Sequence, residues 1–123
     1  MYHKNKIIRI MFALNVQAEM RNLTWTKTAE YGTFMTSFPK NSILISKSSR
    51  ENESRGDNCI YSIKFLNEDG NIIEEMTNVD LENEFSNSLS LMKQTYEYAR
   101  RQAMGLDDAL IAILAIIDPD IPF

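Results

Sequence analysis

The order of the hydrophobic patterns along the chain constrains the fold more than any other feature. Residues 5–21 and 86–117 place apolar side chains at spacings of three and four, which is typical of helices. Residues 23–76 lie between them and consist mainly of short segments with a period of two, which is typical of strands. Strands grouped together between helices predict an α+β fold. We therefore predict a single domain over residues 1–123, an antiparallel meander of four to five strands with an N-terminal helix and two C-terminal helices.

The first helical segment carries an apolar stripe that would face the rest of the domain. Its members are Ile7, Ile10 or Met11, Leu14 and Ala18. Asn22 tolerates the left-handed conformation that closes many helices, so we expect the helix to end there. The chain then changes period, and the first predicted strand places alternate residues on one side. These residues are Trp25, Lys27, Ala29 and Tyr31.

Turn residues divide the predicted sheet. Gly32 separates the first predicted strand from the second, residues 33–38. The Pro39–Asn41 segment separates the second from the third, residues 42–46. Residues 47–58 are polar and have no period, which predicts a loop. Residues 60–66 and 71–76 form the last two predicted strands. The sequence Asn67-Glu68-Asp69-Gly70 between them predicts a hairpin, because Gly readily adopts the positive φ that such turns need.

Two helices are predicted after the sheet. The first has a continuous apolar stripe from residue 85 to residue 103, formed by Phe85, Leu89, Met92, Tyr96, Ala99 and Ala103. Gly105 is expected to close this helix. Asp107 then resembles the N-cap of a short last helix, with Leu106 and Ile111 as a hydrophobic staple on either side of the cap.

The last helix is apolar nearly all round, which leaves two interpretations. In one, the helix fills the groove between the first helix and the sheet. In the other, a small monomer cannot bury it, and its exposed strip forms an interface with another protein or a second copy. The residues predicted for that interface are Leu110, Ile113, Leu114 and Ile117.

A group of cations and aromatic residues suggests a second kind of site. Lys93, Arg100 and Arg101 lie on the predicted helix that contains Tyr96, and Trp25 and Tyr31 could supply stacking surfaces. Together they could bind a small anionic ligand such as a nucleotide. The other interpretation is electrostatic, because cations near a helix C-terminus interact favourably with the helix dipole by about 0.3–1 kcal/mol each.

Charge is unevenly distributed along the chain. Residues 1–66 carry ten Lys and Arg and five Asp and Glu, whereas residues 67–123 carry three and twelve. The halves could form a basic and an acidic face, although we favour their interleaving within one small domain. The net charge of −4 argues against nucleic acid as a partner.

The sequence offers no recognisable catalytic, metal-binding or cofactor-binding set. His3 and Cys59 are single residues of their types, so they cannot form a structural zinc site, and no Gly-rich phosphate loop is present. The carboxylates have no metal-ligand spacing. No segment is long and apolar enough to span a bilayer, and no export signal is recognised, so we expect a cytoplasmic protein with no membrane association.

Several short runs resemble small uncharacterised bacterial or mobile-element proteins of similar size. The runs are Leu23-Thr24-Trp25, Thr36-Ser37-Phe38-Pro39, Tyr98-Ala99-Arg100-Arg101-Gln102-Ala103 and Gly105-Leu106-Asp107-Asp108-Ala109-Leu110. The resemblance covers residues 20–115 and implies a bacterial or phage origin, but no activity.

Three functional hypotheses follow from these patterns. The first is a non-enzymatic interaction protein that binds a protein partner and self-associates into a homo-oligomer. The second is a protein that binds a small anionic ligand. The third, and least supported, is a hydrolase that uses carboxylates or a metal.

Overall fold

The computed structural model describes the backbone of residues 2–49 and 59–118 and the side chains of residues 5–48 and 59–118. These residues form a five-stranded sheet and helices before and after it. The helices are α1 (Tyr2–Glu19), α2 (Asn78–Leu81), α3 (Ser88–Ala103) and α4 (Leu106–Ile117). The strands are β1 (Thr26–Lys27), β2 (Thr33–Ser37), β3 (Ser42–Ser49), β4 (Cys59–Leu66) and β5 (Ile72–Thr77).

The sheet is an antiparallel meander in which the strands lie in sequence order, β1-β2-β3-β4-β5. In the register, Ile45 pairs with Phe34 on one side and with Ile63 on the other, so apolar side chains line up across three strands. The predicted α+β architecture is therefore confirmed. The hairpin between β4 and β5 is also confirmed, with Gly70 at a φ of +85°.

One face of the sheet carries the core because alternate strand residues are apolar. Ile45 and Ile63 are fully buried there, beneath Met11 from α1 and Met92 from α3. The buried apolar residues that complete this cluster are Ile7, Leu14, Trp25, Phe34, Ile43, Tyr61, Met76, Leu81, Tyr96 and Ala99. The core thus draws on α1, the sheet, α2 and α3, but not on α4.

Buried polar contacts set how the helices meet. Asn15 Nδ2 on α1 donates to Thr95 Oγ1 on α3 at 3.1 Å. The backbone N–H of Trp25 donates to Gln102 Oε1 at 2.8 Å. These bonds satisfy polar groups where α3 approaches α1 and the start of the sheet, so they favour one arrangement of the helices.

The helix boundaries differ from the predicted ones at two junctions. After α1, the left-handed residue is Arg21, with a φ of +60°, and not Asn22. Gly105, with a φ of +74°, both ends α3 and serves as the N-cap of α4. Asp107 is therefore in the first turn of α4, where an acidic side chain interacts favourably with the positive end of the helix dipole. The predicted Asp107 cap and the Leu106–Ile111 staple are wrong.

The predicted first strand is also too long. Only Thr26 and Lys27 pair with β2, because the chain turns immediately afterwards. Thr28 Oγ1 accepts a hydrogen bond from the N–H of Glu30 at 3.2 Å and lies 3.0 Å from the carbonyl of Thr33. The threonine that suggested a strand therefore stabilises a turn through its hydroxyl.

The predicted loop over residues 47–58 starts later than expected. β3 continues to Ser49, and Ser48 pairs with Ile60 on β4. The hydroxyls of Ser46 and Ser62 lie 2.7 Å apart across the same pair of strands. Pairing with β4 thus extends β3 into a polar segment that the sequence pattern assigned to the loop. The remainder of the predicted loop, residues 50–58, lies outside the described residues.

Candidate functional site

The last helix begins at a sharp junction. The left-handed conformation of Gly105 separates α3 from α4, and α4 then packs against α3. Arg21, just after α1, forms an ion pair with Asp107 in the first turn of α4. Both partners are more than half exposed, so the ion pair contributes little to stability.

α4 contributes no buried residue to the described part of the chain, although seven of its twelve residues are Leu or Ile. Leu114 is half-buried, whereas Ile113 is 51% exposed and Ile116 is 81% exposed. The other exposed members are Leu106, Leu110, Ile111 and Ile117. The interpretation in which this helix fills the groove between the first helix and the sheet therefore does not describe the structure.

That groove exists, and sequence reasoning did not identify its lining. A cavity of about 440 Å³ lies between α1 and one end of the sheet. Its main apolar residues are Ile10, Leu14, Phe38, Ile43, Phe65 and Ile73. Gln17, Asn41 and Ser42 contribute the polar part of the lining, and none of the described residues that line it is charged. We call this feature the α1–sheet groove.

A β-bulge brings Ile73 into the groove. Phe65 pairs with Glu74 and Leu66 pairs with Ile72, so Ile73 is the extra residue on β5. It is 59% exposed and lines the groove together with Phe65. The signal in the sequence was the adjacent Ile72-Ile73 pair, which strict alternation cannot place on one face.

The structure brings together three of the six residues predicted to bind an anion. Tyr31, Tyr96 and Arg100 line a second cavity, of about 400 Å³, beside the turn between β1 and β2. Trp25 is buried in the core instead, where its indole N–H has no hydrogen-bond partner among the residues that the structure describes. Lys93 and Arg101 are exposed on α3 and line neither this cavity nor the α1–sheet groove.

The electrostatics of the second cavity depend on an ion pair. Arg100 Nη2 lies 2.8 Å from Glu97 Oε2, and Arg100 Nε donates to the same oxygen at 3.1 Å. These hydrogen bonds raise the pKa of Arg100 above its usual value. Burial raises the pKa of the Tyr96 phenol, which favours its neutral form. The cavity thus presents neutral aromatic surfaces, the Arg100 cation paired with Glu97, and two further charged side chains, Lys27 and Glu30.

Other candidate reactive groups lie apart from these surfaces. Cys59 is half-buried at the start of β4, and the side chain of His3 lies outside the described residues. Within the part of the chain that the structure describes, no group of three or more His, Cys, Asp and Glu residues could hold a metal ion. The helices described are also too short or too polar to cross a membrane.

Comparisons of this chain with models of protein families, with curated proteins and with solved structures find no match.

Proposed function

We propose that this protein is a non-enzymatic interaction module that binds a protein partner and self-associates through α4. The observation that carries the proposal is the exposure of α4, which has seven Leu and Ile residues and buries none of them. A contiguous exposed apolar patch on a soluble domain usually marks an interaction surface. The interface residues are Leu110, Ile113, Leu114 and Ile117.

The surface of α4 could contribute substantial binding energy. Burial of roughly 600 Å² of apolar surface at about 25 cal/mol/Å² corresponds to about 15 kcal/mol before the costs of association. Those costs are estimated at about 4–15 kcal/mol, and ordering of interface side chains adds to them. The gain from burial exceeds most of these costs by a modest amount. A modest net free energy of association corresponds to a dimer that dissociates at low concentration.

The first prediction concerns this interface. Ile113→Asp should weaken self-association by at least about 2 kcal/mol, because a carboxylate would be buried in an apolar contact. Ala112→Asp is the matched control, since residue 112 lies on the far side of α4 from the Leu110–Ile117 strip. Light scattering after gel filtration, over a concentration series, would measure the mass of both variants and the parent.

If self-association takes place through α4, the parent and the Ala112→Asp variant should both be oligomers. The Ile113→Asp variant should be a monomer. A parent that stays at the mass of one chain at high micromolar concentration would contradict this part of the proposal. Equal dissociation of both variants would instead show that any added charge disrupts the oligomer.

The cavity beside the β1–β2 turn favours a second candidate function, binding of a small anionic ligand. We expect Arg100→Ala to reduce any rise in Tm that ATP produces in the parent, because the variant removes one of two cations that line the cavity, the other being Lys27. Arg101→Ala should retain that rise, since Arg101 does not line it. A ligand at 100 times its Kd stabilises a protein by about 2.7 kcal/mol, which a thermal-shift measurement detects. No shift with ATP or inorganic phosphate would argue against this candidate.

A cytoplasmic location is part of the same proposal. It is supported by the single cysteine, Cys59, because disulfide-stabilised proteins are typical of oxidising compartments. The split between a basic first half and an acidic second half also suits a protein that acts through its surfaces.

A further inference from the structure

We propose that the α1–sheet groove is the receptor for α4 of a second copy of this chain. The inference rests on the proposed self-association and names the surface that α4 would contact. In such a dimer, the apolar strip of α4 would occupy the groove that its own molecule leaves open.

The spacing of the apolar residues on α4 fits this mode of binding. Leu110, Ile113, Leu114 and Ile117 stand at positions i, i+3, i+4 and i+7, the spacing by which an amphipathic helix anchors itself in an apolar groove. The groove has complementary chemistry, with Ile10 and Phe38 partly exposed at its edges and Leu14 and Ile43 buried at its base. Its volume of about 440 Å³ suits a few aliphatic side chains, which is what one helical strip would insert.

Charge complementarity favours the groove over a second α4 as the binding surface. Residues 106–118 contain Asp107, Asp108 and Asp118 and no Lys or Arg. Two α4 helices packed together would therefore bring like charges close, although Arg21 offsets part of the charge at Asp107.

The surroundings of the groove carry charges of both signs. Lys6 and Arg9 lie on α1, where Ile10 lines the groove, and Lys40 precedes Asn41 at its other end. Glu74 is the carboxylate beside Ile73 at this rim. The rim of this apolar surface thus includes cations, which a second α4 lacks and which suit an acidic, apolar helix.

The position of α4 in its own molecule is compatible with docking of the helix onto a second copy. Its first turn lies beside the end of α1, where Asp107 pairs with Arg21, and it packs against α3. None of its residues lines the α1–sheet groove. Docking of α4 from another copy would fill the groove without breaking these contacts.

The test uses cross-linking between single cysteines placed on the two surfaces. In a Cys59→Ala background, Ile113→Cys places a thiol on α4 and Ile73→Cys places one in the groove. The two proteins are mixed, treated with a short bismaleimide and analysed by peptide mapping. We expect covalent dimers that join residue 113 of one chain to residue 73 of the other. Dimers that join residue 113 only to residue 113 would overturn the proposal in favour of paired α4 helices.

A second measurement separates intermolecular docking from closure within one chain. If the double variant forms a 73–113 link within single chains while the mixed single variants form none, α4 occupies its own groove and the proposal is overturned. Ile73→Asp should raise the dimer Kd by about 30-fold or more, whereas Ile72→Asp should leave it within about twofold. Ile72 is a neighbouring exposed residue on β5 that does not line the groove, so it is the matched control.

The outcomes distinguish this inference from the proposed function. A monomeric parent removes both. An oligomeric parent that Ile113→Asp dissociates and Ile73→Asp does not would leave α4 as an interface but overturn the groove as its receptor. Circular dichroism of each variant checks that the fold is retained, and Phe38→Asp, at another edge of the groove, provides a second substitution if Ile73→Asp unfolds.

Discussion

Met92→Ala is expected to lower the free energy of unfolding by about 2–5 kcal/mol. Met92 is fully buried on α3, in the cluster that includes Met11 of α1 and Ile63 of the sheet. Truncation removes the transfer free energy of its side chain and leaves a cavity where two layers of the molecule meet. Urea denaturation followed by circular dichroism would measure the change from the shift in the transition midpoint.

Leu89→Ala is the matched control for this prediction. Leu89 lies almost one turn before Met92 on the same helix and is 42% exposed. Alanine has the higher helix propensity, so little stability should be lost there. We expect a change of less than about 1 kcal/mol. Similar losses for the two variants would contradict the placement of Met92 at the centre of the core.

Asn78→Ala is expected to cost about 1–3 kcal/mol, although it removes only a small polar side chain. Asn78 is buried at the start of α2, and its Oδ1 accepts a hydrogen bond from the N–H of Tyr61 at 2.8 Å. Alanine would leave that N–H buried without this acceptor. The folded state would then lose stability by the free energy of removing the N–H group from water. The Ser88 hydroxyl donates to the Asn78 carbonyl at 3.0 Å, a bond that alanine retains.

Hydrogen exchange gives this prediction a local readout. The amide of Tyr61 should exchange faster in Asn78→Ala than in the parent, relative to the amide of Ile63 on the same strand. Asn83→Ala is the control, because Asn83 is exposed in the turn after α2, and it should change stability by less than about 0.5 kcal/mol. Unchanged protection of Tyr61 in Asn78→Ala would show that another acceptor replaces the side chain.

The elements with long, regular patterns could be predicted from sequence, and short junctions could not. The stripe through Met92, Tyr96 and Ala99 predicted α3 because its apolar residues recur at spacings of four and three, and the structure buries all three. The start of α4 was misjudged because Gly105, in the left-handed conformation that ends α3, is itself the residue before the first turn of α4, two residues before Asp107. Side-chain hydrogen bonding converted part of the predicted first strand into a turn at Thr28.

The candidate surfaces show the same division. The amino-acid pattern was sufficient to identify α4 as apolar nearly all round, because its composition does not depend on what surrounds it. Whether a single copy could bury that helix depends on the space between the other elements, and this required the fold.

The α1–sheet groove joins Ile10, Phe38 and Ile73, which come from three separate elements, and one of them reaches the groove through a β-bulge. The local periodicities of this chain therefore determined its helices, most of its strands and its class of fold, since each arises from neighbours within a few residues. Assembly in three dimensions determined that the groove stays open, that α4 stays uncovered and that Trp25 lies in the core, because these features depend on distances between segments remote in sequence.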